Sequence, residues 1–593
     1  MKKITQIVVF LFLLVSLVGC NNVKQEETPT PKKENTYAQT DDESFYAFLD
    51  EEFKNMMEAD FLNNHYTLKD PSKMNIAKPK PELKPSDYTL KSYEEDGEDA
   101  KESLDKLESF DISKLSEKQY YDYVAYKNYI SHVVELNKYP MFDSAFSLGN
   151  GLNDNLLTTF LEFKFRNETD IKDYLTILKQ ADEYIDAAIE FTKLQAKDGY
   201  FMSDYAVDEK IVDIDKFISK TTDNELIVTF NKMIDEDTTI TKEQKEKYKE
   251  ENKNIVLNEY IPANVKIKEE LTKLKGSRKI EGGVANYPGG KEFYELYLQF
   301  KTGTDYTSKE MFDMLDEYIY TTLMDLQKEI KNNPTGFQYG KVDTSSLEKM
   351  STEDMLEFLK ENLETQFPKG PDVKYKISYL DPTTANEKVL AYYLSPPIDD
   401  IEDNVIKVNP KSSDDLFNLY VTVAHEGFPG HLYQTTYHLN TNPHPIRDMF
   451  NDISYSEGWA MYTETCAIDF LDISKEEKIY EKVNIKFGYA LSAVTDIGVN
   501  GLGWTYDETK DYLSTYGYDD ITDDLYQGAI ADPGSIVPYG LGLMTFDNYR
   551  SKAEKILKKK FDVFKYHEML LNNGRRPLSV LETDVNKFIN ENK

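Results

Sequence analysis

Three side chains within seven residues set the chemical question. They are His425, Glu426 and His431, in the run His425-Glu426-Gly427-Phe428-Pro429-Gly430-His431. Neutral imidazoles are good ligands for a divalent ion such as Zn2+, and a carboxylate beside the ion can take the proton of a bound water. The familiar pattern, His-Glu-x-x-His, places its histidines on one face of a helix. Here the two lie six residues apart. At about 100° per residue they stand roughly 120° apart on a regular helix, so the chain must bulge or break to aim both at one ion. Gly427, Pro429 and Gly430 supply the means. Proline removes a backbone donor and glycine tolerates unusual dihedrals. A helix carrying a local bulge is the expectation. The alternative is a helix that stops at Pro429-Gly430 and leaves two unrelated histidines.

A third ligand is sought downstream. Tyr455 to Glu464 (YSEGWAMYTE) opens a helix expected to run to Phe470. Glu457 and Glu464 are seven residues apart and nearly stacked on one face. Zinc peptidases with a glutamate ligand take it from the following helix, and Glu457 comes 26 residues after His431. Glu464 would then orient a ligand histidine through its second ring nitrogen. In a chain with 106 acidic residues both could instead be surface carboxylates, but Glu457 lies between the aromatics Tyr455 and Trp459.

The elements around these segments are mainly helical. In Thr169 to Lys197 the residues Ile171, Leu175, Leu178, Ala181, Ile185 and Ile189 recur at helical spacing, with Thr169 as the cap. Ser103–Leu136, Lys242–Leu274, Ser308–Lys331 and Thr352–Thr365 read likewise, and helices resume from about Ser413. Strands are expected only at Tyr375–Leu380, Lys388–Leu394 and Asn404–Asn409, just before the histidines. An edge of such a sheet could pair with extended substrate. The fold class is therefore mainly α: one large helical body over 45–593 with a deep cleft and a small sheet beside the active-site helix. Gly282-Gly283 and Pro288-Gly289-Gly290 suggest lobes 45–280 and 281–593.

Apolar residues make up 40% of the 593, enough for a sizeable core, and the formal charge of -36 argues against nucleic acid as a partner. Met1 to Cys20 has a basic start and an apolar run too short for a confident membrane span. Its end, Leu17-Val18-Gly19-Cys20, resembles the bacterial lipobox. That resemblance implies removal of residues 1–19, lipid on the Cys20 sulfur and an extracytoplasmic chain held at the membrane. An ordinary secretory peptide or a membrane anchor are the alternatives. Residues 20–44 are polar and read as a flexible tether. After lipidation Cys466 is the one other cysteine, so no intrachain disulfide can form.

The HEGFPGH and SEGWAMYTE segments, with Tyr297–Met311, Tyr392–Asn409, Pro533–Gly542 and Asn573–Ile589, resemble the bacterial domain-of-unknown-function family 885, from about Phe45 to Ile589. That family is grouped with gluzincin-type zinc metallopeptidases and is similar in fold to Taq-type carboxypeptidases. The resemblance implies one Zn2+ per chain held by His425, His431 and Glu457, with Glu426 as the general base. It also implies that Tyr539 donates to the developing oxyanion, although Tyr539 could equally be a packed aromatic. Where the family has Pro-Gly-Gln-Ala, this chain has Pro533-Gly534-Ser535-Ile536.

Arg447 and Arg550 are candidates to clamp a peptide carboxylate in two parallel bonds. His438 is not expected to be a ligand. The resulting expectation is a lipid-anchored zinc peptidase acting on short peptides. A non-peptide amide hydrolase and a ligand-binding lipoprotein without turnover remain as alternatives.

Overall fold

The computed structural model describes residues 37–149, 151–337, 342–380, 390–410, 415–450 and 452–593. The leader, Cys20 and the tether up to residue 36 lie outside the described residues, as do Lys388 and Val389 of the second expected strand.

The chain is mainly α-helical, and side-chain caps decide where its helices begin. Asn167, not Thr169, caps the long helix Glu168–Asp198 by accepting from the Thr169 and Asp170 amides. That helix ends at Gly199, whose φ of 92° suits a residue without Cβ. The stretch expected as one helix over Ser103–Leu136 is two, Leu90–Glu108 and Glu117–Leu136. Ser116 forms a reciprocal cap with Gln119 and so starts the second helix afresh. Lys242–Leu274 continues through a widened π turn at Val256–Tyr260, next to Pro262, which cannot donate to an α-helical ladder. Ser308–Asn332 and Thr352–Leu363 follow expectation, each opened by a reciprocal cap.

Residues 37–44, expected as part of the tether, take part in the fold. The Ala38 amide donates to the Leu115 carbonyl, and Asp42 caps the helix Glu43–Ala59.

Burial of the apolar faces produces several cores. One lies within the first half, where Ile171, Tyr174, Leu178 and Ile185 pack with Phe230 and Tyr260. A second, around Phe45, Phe48 and Tyr126, takes in Ile446 and Phe450, so it joins the 45–280 and 281–593 segments. The largest apolar group in the second half surrounds Trp459, with Phe367, Tyr420, Tyr462 and Phe546. It fixes the helices that carry the candidate site.

Three strands form one small sheet: β1 (Tyr375–Tyr379), β2 (Ala391–Leu394) and β3 (Asn404–Val408). The order is β1-β3-β2, with β3 parallel to β1 and antiparallel to β2. The β3 residues Val405, Ile406 and Val408 are buried. β2 is an edge strand, with Tyr393 opposite Ile406.

Candidate metal centre

The helix Leu416–Glu426 opens at Asp415, which accepts from the Asn418 amide, and buries Phe417, Tyr420, Val421 and Val423. It stops where the sequence supplies breakers. The Gly427 amide still donates to Val423, but the Phe428–Pro429 peptide is cis and a second helix starts at His431. The site is therefore made by a break between two helices, Leu416–Glu426 and His431–Asn440, instead of the expected bulge within one. The crossing is tight. Gly430 donates to the Ala424 carbonyl at 3.0 Å, and a Cβ at Gly430 would sit 1.8 Å from the His425 carbonyl oxygen. Trp459 anchors the break by donating its indole N–H to the Pro429 carbonyl at 2.9 Å. As a result the two imidazole rings approach to 4.7 Å between centroids at 84°.

Glu457 completes the group from the helix Ile453–Ala467. Its Oε2 lies 3.3 Å from His425 Nε2 and 3.4 Å from His431 Nε2. Ligands bonded at about 2.0–2.1 Å around a tetrahedral ion stand roughly 3.3 Å apart, so these separations fit Zn2+. Among the described residues, these three offer ligand atoms that all lie within 4.8 Å of one another. Tyr455 and Trp459 flank Glu457 and are fully buried, as the sequence pattern required.

Two further carboxylates face the pair of imidazoles. Glu464 Oε1 is 2.8 Å from His425 Nδ1, the nitrogen turned away from the ligand cluster. Glu426 accepts the outward amide of Tyr393 in the edge strand β2 at 2.9 Å. Its other oxygen lies 4.0 Å from His425 Nε2. Burial raises the Glu426 and Glu464 carboxyls above the usual range. Burial also opposes charge on Glu457, but its bonds to both histidines outweigh this and hold its carboxyl well below that range. Burial likewise opposes a charge on His425, yet Glu457, Glu464 and Glu426 hold its imidazole well above the ordinary value. Three carboxylates crowd two imidazoles here, and a cation among them would offset their charge.

Tyr539, at the start of the helix Val537–Leu557, interacts through its hydroxyl with Glu457 and faces Glu426. Its pKa is raised, first by burial and then by those two carboxylates. Two glycines bring it there. A Cβ at Gly458 would lie 2.5 Å from the Gly542 Cα, so only glycines allow the Glu457 and Tyr539 helices to cross this closely. Tyr489 stacks on Tyr539 with 6.3 Å between ring centroids and senses both Glu464 and Glu457. Sequence reasoning missed Tyr489, Tyr393 and this glycine pair. Both glycines and Tyr393 lay in segments singled out beforehand, but what they touch lies elsewhere in the chain and leaves no local signal.

The two arginines expected as carboxylate clamps are engaged elsewhere. Arg550 shares a helix face with Tyr539 but stands eleven residues on, about 16 Å along the axis. There it donates to the Tyr462 hydroxyl and to Glu554. Arg447 is buried, pairs with Asp122 at 3.2 Å, and donates to the carbonyls of Asn573 and Arg575. His438 is buried too, and burial together with Arg447, Arg575 and Arg576 holds its imidazole well below the ordinary value, hence neutral.

A family model described as "Bacterial protein of unknown function (DUF885)" matches residues 76–585, which include every residue of this centre. The chain belongs to this family. The fold of this DUF885 protein is also seen in two solved structures. One is the "putative lipoprotein" from Colwellia psychrerythraea, with a TM-score of 0.74 and 17% identity over 92% of this chain and 99% of that one. The other is a "putative lipoprotein of unknown function" from Shewanella oneidensis, with a TM-score of 0.60 and 14% identity over 92% and 100%. No curated protein matches the sequence.

Proposed function

We propose that this DUF885 protein is a zinc-dependent peptidase of the gluzincin kind, held outside the cytoplasm by lipid on Cys20. The observation that carries the reading is the convergence of His425, His431 and Glu457 at ligand spacing, with Glu426 beside them. A zinc ion held by these three residues would supply Lewis-acid polarisation of a scissile carbonyl and acidify water.

The chain's own residues supply the rest. Glu426 is pinned by the Tyr393 amide, so one oxygen is fixed and the other is free to take and return a proton. Its burial raises its proton affinity, which suits a base that must later act as an acid. Glu464 keeps the His425 ring in one orientation. The Tyr539 hydroxyl, raised far from ionisation, remains a donor for negative charge developing on a carbonyl oxygen. The edge strand β2 offers extended backbone beside the base for pairing with a peptide.

The test is Glu426→Gln in the mature chain, assayed with zinc content and a short-peptide library. The expected outcome is about one zinc per chain in both proteins, with turnover reduced by 100-fold or more in the variant, in line with loss of a general base. Equal hydrolysis by the two proteins would refute the mechanism. Absence of zinc from the reconstituted parent would refute the site.

A further inference from the structure

Beyond the ligand cluster, the helix His431–Asn440 turns a second set of buried polar groups to the same side. Gln434, Thr435 and His438 follow His431 at helical spacing of three, four and seven. Gln434 is 2% exposed and His438 is 3% exposed. Neither amide atom of Gln434 and neither ring nitrogen of His438 has a hydrogen-bond partner among the described residues. The same holds for Asp448 Oδ2 and for Arg575 Nε. Folded proteins leave few such atoms, and each needs an explanation.

These groups lie together. Arg575 donates from Nη2 to the Thr435 hydroxyl at 3.1 Å. Asp448 Oδ1 is 4.0 Å from His438 Nε2. The turn before Arg575 closes directly on His438. Gly574, at φ 66°, leaves no room for a side chain, since a Cβ there would meet His438 Nδ1 at 2.1 Å. Charge sorts the neighbourhood. Arg447 is paired with Asp122, and Arg576 with Asp584 at 2.6 Å. Among the described residues, no carboxylate lies within ion-pair distance of Arg575. Asp448 and Asp452 feel its charge, but burial dominates and raises both carboxyls, Asp452 to about 6. Arg447 serves this geometry by donating to the Arg575 carbonyl, so it positions the very backbone that carries the guanidinium.

We infer that Arg575 is the anchor for the terminal carboxylate of a peptide whose scissile bond lies at the histidine-glutamate centre, which makes the enzyme a carboxypeptidase. This rests on the peptidase reading. Thr435 is one turn beyond His431, about 6 Å along the axis. The Tyr393 phenol senses the Arg575 charge and the Tyr393 amide holds Glu426, so one residue of β2 lies against both the anchor and the base. Gln434, unpartnered and on the same face, gives the carboxylate a neutral donor beside the guanidinium.

The experiment uses two N-acetylated tripeptide libraries that differ only at the C-terminus, free carboxylate against amide. Each is measured for turnover with zinc-loaded parent and for binding to Glu426→Gln. The parent is expected to favour the free acid by about 10- to 100-fold in kcat/KM, the range for one charge-assisted pair. Arg575→Met should bring the two libraries to parity, chiefly through KM for the acid. Arg575→Lys should keep part of the preference and serves as the check on folding, with zinc content measured in each.

Equal use of acid and amide by the parent overturns the anchor and leaves the peptidase reading standing. So does a preference that survives in Arg575→Met. Preference for an amide library ending in Glu over one ending in Gln would assign the subsite to a side-chain carboxylate and overturn the terminal one. If nothing is hydrolysed yet Glu426→Gln binds acid over amide in an Arg575-dependent way, the anchor holds and the peptidase reading falls.

Discussion

Replacing Glu464 with Gln isolates what a buried carboxylate contributes to the proposed metal site, whose ligand atoms it does not join. Glu464 is 7% exposed and hydrogen-bonds His425 Nδ1 at 2.8 Å. A bond of this kind with an ionised partner contributes about 1.5–3 kcal/mol, and its neutral counterpart about 0.5–1.5. Gln can still accept from Nδ1–H, so the loss is about 1.4 kcal/mol, or tenfold in zinc affinity. Glu464→Ala leaves the N–H buried without a partner and should cost more, up to about 100-fold. Affinity is read by competition with a chromophoric chelator at fixed pH. The metal-free protein should respond in the opposite sense. Burial already raises the Glu464 carboxyl, so removing its charge relieves a cluster that also holds Glu426 and Glu457. Its melting temperature without zinc should not fall in Glu464→Gln. Identical zinc affinity in the parent and both variants would mean that Glu464 does not orient His425, and the account of the ligand geometry would fail.

Further outcomes follow from the same structure. Gly430→Ala forces a Cβ to within 1.8 Å of a backbone oxygen, so the helix break must open. Zinc stoichiometry should fall well below one per chain and stability by about 3 kcal/mol or more, as overpacking against fixed backbone does. Unchanged zinc content would disprove the role given to the crossing. His567 is fully buried, with Nδ1 against the Gln366 carbonyl and Nε2 against the Tyr462 hydroxyl, and burial lowers its pKa to about 3. The unfolded chain therefore binds a proton below about pH 6.5 that the folded one refuses, so stability is lost as pH falls from 6.5 toward 3. Relative to His567→Gln, the parent should lose about 1.4 kcal/mol per pH unit between pH 6 and 4. Parallel denaturation midpoints for the two proteins across that range would contradict a neutral buried imidazole.

Much of the centre was legible because its chemistry is written in short segments. Residue types and spacing named His425, Glu426, His431, Glu457 and Glu464, and the structure brings all five together. Helical periodicity and the scarcity of β-branched runs gave the mainly α fold and the sheet next to the histidines, because both signals are local. The manner in which six-residue spacing closes was not local. A bulge and a break use the same glycines and proline, and the choice depended on Trp459 reaching the Pro429 carbonyl from another helix. The helix division near Ser116 likewise turned on one side-chain cap within an otherwise continuous apolar pattern.

The arginines show the limit most plainly. By itself the sequence determined that cations were available near the ligand segments, and it put forward Arg447 and Arg550 while passing over Arg575. Which guanidinium stays free is a question of pairing in space. Asp122, more than three hundred residues away in sequence, occupies Arg447, while Tyr462 and Glu554 occupy Arg550. Ligand identity follows from the intrinsic chemistry of a side chain, and so survives into sequence motifs. The availability of a charge depends on what the folded chain has already placed against it, and only tertiary structure decides that.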